Sequence, residues 1–234
     1  LDKVVVITGG TGGLGSALIS RLIRQDYRLA VSYLLPEEAE RFESQFEVDD
    51  ERLTIRRVDA TNPEAVNGFM KDIAEQFGAL HVVCALVGGW AGGRDVEDTD
   101  DLRFERMIDL NLRSAFYTAR AALPYIRTAG WGRVILVGSR AAFDTPGGQA
   151  AFNAAKAGVV ALGKTIAAEI DGTGVTCNVL LPSVIDTPAT RSTAPYADYI
   201  KWPTPDEIAA VAEFLISEQS GVISGAALPV FGRT

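Results

Sequence analysis

Thr8-Gly9-Gly10-Thr11-Gly12-Gly13-Leu14-Gly15 follows the apolar run Val4-Val5-Val6-Ile7 and leads straight into Ser16-Ala17-Leu18-Ile19, where helical periodicity begins. The context carries more than the glycines do. A chain that leaves a strand and enters a helix through so tight a turn needs residues that tolerate positive φ. An anion seated over the turn needs bare backbone to approach, and the helix start offers unpaired N–H groups and a favourable dipole. Gly9, Thr11, Gly13, Leu14 and Gly15 are therefore candidates to hold a diphosphate. Such a loop alone is a weak motif, and its flanking strand and helix supply the specificity.

The same alternation continues outward. Short Val/Ile/Leu/Ala runs at 3–8, 28–33, 53–58, 80–87, 132–138, 175–181 and 226–230 read as seven strands. Segments 13–25, 36–46, 63–77, 101–128, 150–171 and 205–217 show helical periodicity between them. Nearly continuous apolar strands alternating with helices predict a single-domain α/β chain over 1–234: a doubly wound Rossmann fold, with a seven-stranded parallel sheet and helices on both faces. Asn62-Pro63 and Thr204-Pro205 each put a polar cap before proline at a first helical position, where the missing N–H costs nothing. Segment 188–203, rich in Pro, Thr and Tyr, is expected to form a substrate lid.

Bulk properties narrow the partners. With 234 residues and 47% hydrophobic content the chain can bury a sizeable core. A net charge of -8 disfavours nucleic acid and anionic membrane, which call for clustered Lys and Arg. Cys84 and Cys177 each lie in an apolar strand-like run and read as buried free thiols, with neither disulfide nor metal expected. His81 is the only histidine and reads as a strand-edge residue, so a histidine triad or metal site has little to build on. The acids of 95–101 read as a solvated loop. No basic leader precedes the first strand and no run reaches membrane length, so a cytoplasmic location is expected.

The spacing Thr8-Gly9-x-x-x-Gly13-x-Gly15, together with Asn111, Ser139 and Lys156 at their separations, resembles the short-chain dehydrogenase/reductase family along nearly the whole chain. The resemblance implies an NAD(P)-dependent oxidoreductase. It implies that Ser139 polarises a substrate carbonyl, Lys156 binds the nicotinamide ribose and Asn111 organises a water relay. It implies further that Asp59 and Ala60, after strand three, meet the adenine, and that Gly88 lies along the cofactor. At strand six Pro182, Ile185 and Thr187 match the family's run, with Ile185 backbone and the Thr187 hydroxyl meeting the carboxamide and Ser183 replacing a glycine.

One position departs. Phe152 stands four residues before Lys156, where the family carries the proton-donating tyrosine, and a phenyl ring neither donates nor accepts a proton. Three explanations stay open: a Tyr→Phe trap in an ordinary enzyme, an enzyme whose substrate finds its proton elsewhere (Tyr196, Tyr199 or Ser139), or a catalytically inactive nucleotide sensor or scaffold.

Strand two ends in Ser32-Tyr33-Leu34-Leu35, where an acid would grip ribose hydroxyls. No acid is there, and no Arg or Lys stands there or in the glycine turn to pair with a 2′-phosphate. Leaving that dianion unpaired is the larger penalty, so NAD(H) is expected over NADP(H), with Tyr33 beside the adenosine. Gly88-Gly89-Trp90-Ala91-Gly92-Gly93 and the 181–191 run resemble the dihydropteridine reductase branch, which implies a flat quinonoid substrate beside a carbonyl or alcohol one. Trp90, Arg140, Tyr196 and Tyr199 are the substrate-side candidates. Leu110, Leu112, Phe116, Tyr117, Val159 and Leu162 exceed what one sheet face requires, and by resemblance a homotetramer or homodimer is expected.

Overall fold

β1 (Lys3–Thr8), β2 (Tyr27–Tyr33), β3 (Leu53–Arg57), β4 (Val82–Ala85), β5 (Gly132–Val137), β6 (Val175–Pro182) and β7 (Ala227–Val230) make one sheet in a computed structural model that describes residues 3–49 and 51–233. All pairs are parallel, in the order β3-β2-β1-β4-β5-β6-β7. The helices are α1 (Gly13–Leu22), α2 (Pro36–Glu43), α3 (Pro63–Phe77), α4 (Asp101–Ile108), α5 (Ser114–Ala129), α6 (Ala141–Asp144), α7 (Ala150–Glu169), α8 (Pro188–Thr193) and α9 (Pro205–Ile216).

Each strand feeds two cores because successive side chains point to opposite faces. Val4, Val6, Ala30, Val83, Val134 and Leu136 face one layer, with Val66 and Ile73 of α3, Ala122 and Ile126 of α5, and Val159 of α7. Val5, Ile7, Leu29, Val82, Cys84 and Ile135 face the other, with Leu18 and Leu22 of α1, Phe42 of α2 and Ile208 and Leu215 of α9. Burial on both faces explains why these strands read as unbroken apolar runs.

The order reverses at β1, which pairs with β2 on one side and β4 on the other. Loops leaving the carboxyl ends of β1 and β4 diverge there, which is where open α/β sheets take ligands. Both proline-led starts cap as expected: Asn62 Oδ1 accepts from Ala65 N at 3.0 Å, and Thr204 and Glu207 exchange a capping box. Cys84 and Cys177 are buried free thiols on β4 and β6.

Several boundaries differ from expectation. α1 and α2 stop at Leu22 and Glu43, and β4 covers only Val82–Ala85 of the expected 80–87 run. Val87 is apolar for packing, since a Cβ on Gly9 would stand 2.9 Å from its Cγ2. The expected 101–128 helix is two helices joined by a π-helical turn, Asp109–Arg113. Asn111 accounts for the widening: its Nδ2 donates to Met107 O at 3.0 Å, a carbonyl that an ordinary helical amide would occupy. α6 was not expected, and 188–203 contains α8 and a single 3₁₀ turn, Tyr199–Lys201. Among the described residues no helix is long and apolar enough to cross a membrane, and no trio of His, Cys, Asp or Glu could hold a metal.

Candidate functional site at the sheet reversal

The glycine turn sits directly in the crevice. Gly9 takes φ +71°, and its N–H donates to Ser32 Oγ at 3.1 Å while Gly10 N donates to Ser32 O at 3.2 Å, tying the turn to β2. A Cβ on Gly15 would lie 2.4 Å from Gly10 Cα, so α1 packs back on the turn at glycine contact distance. α3, α4, α8 and α9 each start with a side chain accepting a backbone N–H, whereas α1 starts at Gly12 with none. The first amides of α1, at Gly13 and Leu14, therefore face outward over bare backbone. Gly13 also lies against the 187–205 segment, a Cβ there reaching Thr187 Cγ2 at 3.2 Å.

Beyond β4 the chain brings a second group together. Lys156, on α7, is buried and donates from Nζ to Val137 O at 2.9 Å. Burial pushes its ammonium down to about 8. Asn111 is buried in the π-turn, with Nδ2 donating to Gly89 O at 2.9 Å and Oδ1 accepting from Gly89 N at 3.2 Å. A Cβ on Gly88 would stand 3.0 Å from Asn111 Oδ1 and 3.3 Å from Lys156 Nζ, so both polar groups look onto one bare stretch of backbone. This cradle fits a ribose hydroxyl edge, and a side chain at residue 88 would fill it.

Phe152 lies one helical turn before Lys156, with Nζ 5.8 Å from the ring centroid. The ring is 9% exposed and packs in a small apolar cluster with Met107, Ala141 and Ala151, touched by Ala91 and Leu110. Of these neighbours Ala91 and Leu110 adjoin Trp90 and Asn111 in sequence, and Ala141 stands two residues after Ser139, so Phe152 packs on segments that carry the expected site residues. Ser139 follows β5 and its Oγ accepts from Ala141 N at 3.1 Å, a serine turn that opens α6. Its hydroxyl proton is left to donate. Trp90 is 59% exposed, and its Nε1 donates to Gln149 Oε1 at 2.7 Å.

The other expected cofactor positions rim the carboxyl edge. Asp59 does not cap α3, because Asn62 does; its Oδ1 accepts from Thr61 N at 2.9 Å and Thr61 Oγ1 at 2.7 Å. Ala60 is buried against the first core layer. Tyr33 pairs in register with Arg57, and Arg57 Nε donates to Leu34 O at 3.1 Å. A cation thus reaches the end of β2 from the next strand, which linear reading of 32–35 could not reveal. Pro182 ends β6 and accepts from Arg140 N at 2.9 Å. Ile185 packs against the second core layer. Thr187 Oγ1 accepts from Thr190 N at 3.2 Å and caps α8, and Ser183 Oγ donates to Phe231 O at 2.8 Å.

Two substrate-side expectations do not join the cluster as proton donors. Tyr196 is 100% exposed, and Tyr199 donates its hydroxyl to Ala194 O at 2.9 Å, its ring tilted 59° against that of Trp202 at 5.1 Å. With Asp186, Arg191 and Arg233, Tyr199 instead lines a cleft of about 490 Å³ under the 188–203 segment. Arg140 pairs with Asp144 at 2.5 Å and lies over the Phe231 ring. Sequence reading missed Gln149 and Asn153, although their spacing from Phe152 and from each other puts them on one helical edge. His81 immediately precedes β4, and its Nδ1 accepts from Val4 N at 3.1 Å.

A parallel doubly wound sheet with a glycine turn at its reversal defines the Rossmann class of dinucleotide-binding scaffolds. The chain belongs to the short chain dehydrogenase family of NAD(P)-dependent oxidoreductases, whose profile matches residues 3–197. It is similar to 3beta-hydroxysteroid dehydrogenase 2 of Eggerthella lenta at 29% identity, over 98% of this chain and 94% of that one. It is also similar to the 3-oxoacyl-(acyl-carrier-protein) reductase MabA of Mycobacterium tuberculosis at 31% identity, over 99% of this chain and 92% of that one. The solved structure of gox2181 superposes with a TM-score of 0.91 at 26% identity, covering 99% of this chain and 95% of that one.

Proposed function

We propose that the protein catalyses hydride transfer between NAD(H) and a carbonyl, alcohol or quinonoid substrate, with Phe152 in the place of the family's proton donor. The convergence of Lys156 Nζ and Asn111 Oδ1 on the bare backbone of Gly88 carries this reading, because it retains the ribose-holding half of the machinery beside the glycine turn. When bound, the dinucleotide supplies the hydride. The amides at Gly13 and Leu14 hold its diphosphate, Gly9 and Gly15 let the backbone approach, and Asp59, Ala60 and Tyr33 border the adenosine. Lys156 grips the ribose, Ile185 and Thr187 meet the carboxamide, and Ser139 donates to the substrate oxygen. Trp90 and Arg140 flank the substrate, and 188–203, with Tyr196 and Tyr199, closes over it as a lid. The glycine-tryptophan loop supports a flat quinonoid acceptor of the kind the dihydropteridine reductase branch takes.

Titrating the protein with NADH and NADPH by fluorescence, then following nucleotide oxidation with diketones, quinones and simple ketones, tests the reading. Expected are tighter binding of NADH and slow oxidation by at least one acceptor. Binding without oxidation by any acceptor supports the alternative of a nucleotide sensor. Arg57 favours a second cofactor reading: tighter NADPH binding that Arg57→Ala abolishes would assign the 2′-phosphate to it. For assembly, a homotetramer through the α5 and α7 faces is proposed. Phe116 is 41% exposed there, whereas Val159 is fully buried in its own core. A sedimentation mass of one chain would refute it.

A further inference from the structure

We propose that Trp90, Gln149 and Asn153 form a rigid stacking platform that selects planar, conjugated, electron-poor carbonyl compounds as the hydride acceptor; the inference rests on the hydride-transfer reading above and names its substrate class. An indole 59% open to solvent ordinarily samples several rotamers. This one is fixed by a relay of three hydrogen bonds: Trp90 Nε1 to Gln149 Oε1 at 2.7 Å, Gln149 Nε2 to Asn153 Oδ1 at 3.0 Å, and Asn153 Nδ2 to Pro146 O at 2.9 Å. The indole can only donate and the terminal carbonyl can only accept, so the direction of both amides between them is set. Asn153 is buried and adjoins Phe152, which anchors the relay in the wall of the site.

The relay is not needed to hold the loop. Asn111 already binds Gly89 through both N–H and C=O, and Arg94 N donates to Gly148 O at 3.2 Å. What the relay adds is the orientation of one ring. Gly92 backs that ring so closely that a Cβ there would stand 2.5 Å from Cζ2, leaving the remaining surface of the ring open. An electron-rich indole held this way stacks best on a flat, electron-deficient partner. A conjugated carbonyl or quinone is such a partner, and it also delocalises the charge that arrives with hydride, easing the demand for a donated proton that Phe152 cannot meet.

The test is calorimetric titration of the apo protein with 9,10-phenanthrenequinone and with cyclohexanone, on the wild type, Trp90→Phe, Gln149→Leu and Gln149→Glu, with thermal melts confirming folding. NADH binding and oxidation are followed in parallel. Gln149→Leu is expected to weaken phenanthrenequinone binding by about tenfold. Cyclohexanone is expected to be unaffected, Gln149→Glu to recover binding in part by keeping an acceptor for the indole, and KM to rise more than kcat falls. Unchanged quinone affinity in Gln149→Leu, or equal losses for both ligands, overturns the platform. Quinone binding that depends on Gln149 without any NADH oxidation leaves the platform standing and sinks the hydride reading. Oxidation of NADH with no dependence on Trp90 or Gln149 does the reverse.

Discussion

Lys156 is charged in water and buried in the fold, and the two facts oppose each other. Its ordinary value of 10.5 falls to about 8 through desolvation. The folded chain therefore binds this proton less tightly than the unfolded chain, and stability rises with pH between about 8 and 10.5. Below pH 8 the penalty is fully present, at about 3 kcal/mol. Replacing Lys156 with Met should stabilise the protein at pH 7 by about 2 kcal/mol, since Val137 O then loses a donor at about 1 kcal/mol. The gain should shrink towards zero by pH 10, measured by urea unfolding at the two pH values. The fold thus carries Lys156 at a net cost to its own stability. Phe152 is the complementary case. Phe152→Tyr should raise carbonyl reduction by about 10²–10⁴-fold, read as kcat, while NADH affinity stays constant. An unchanged rate would mean that another group supplies the proton. Sequence spacing placed Lys156 and Phe152 on one face, because four residues on a helix settle it, whereas Asn111, 41 residues before Phe152, was brought to them only by the family resemblance. Spacing could not place Tyr196 or Tyr199, since an irregular segment has no period to fix where its side chains point.

At the scale of elements, the glycine turn shows which spacings are chemical and which are steric. A Cβ added at Gly15 would stand 2.3 to 2.5 Å from backbone atoms of Gly10, with no flexible side chain to yield, so Gly15→Ala must lift α1 from the turn. A loss of about 1–3 kcal/mol in stability and a larger relative loss of NADH affinity are expected by denaturant melts and fluorescence titration. Gly68 is the control: it lies within α3 with nothing inside 4 Å of an added Cβ, and Gly68→Ala should stabilise by about 1 kcal/mol without changing cofactor binding. The strand-turn-helix succession and both Pro-led caps were legible because their signals are local. The π-turn was not, because the Asn111 amide that widens it at Met107 O is also held by Gly89 O, 22 residues away. α6 was missed because its start depends on Ser139 turning its hydroxyl back onto Ala141, in a segment read for chemistry.

Across the whole molecule, seven apolar runs without strict alternation announced a parallel sheet covered on both sides, and the observed topology agrees. Strand order and the resulting reversal between β2 and β4 around β1 are products of packing the connecting helices in two layers, beyond what a linear pattern encodes. The same two-layer construction separates Cys84, which belongs to the core layer of α1 and α9, from Cys177, which belongs to the layer of α3, α5 and α7. Burial pushes both thiols upward, Cys177 to about 12, so neither reacts while its layer is closed. Each sulfur is thus a chemical clock for the opening of its own side. Maleimide labelling followed by peptide mass spectrometry under mild urea should give equal rates for the two if the layers come apart as one cooperative unit, and a faster Cys84 or Cys177 would reveal which half of the sandwich breathes first.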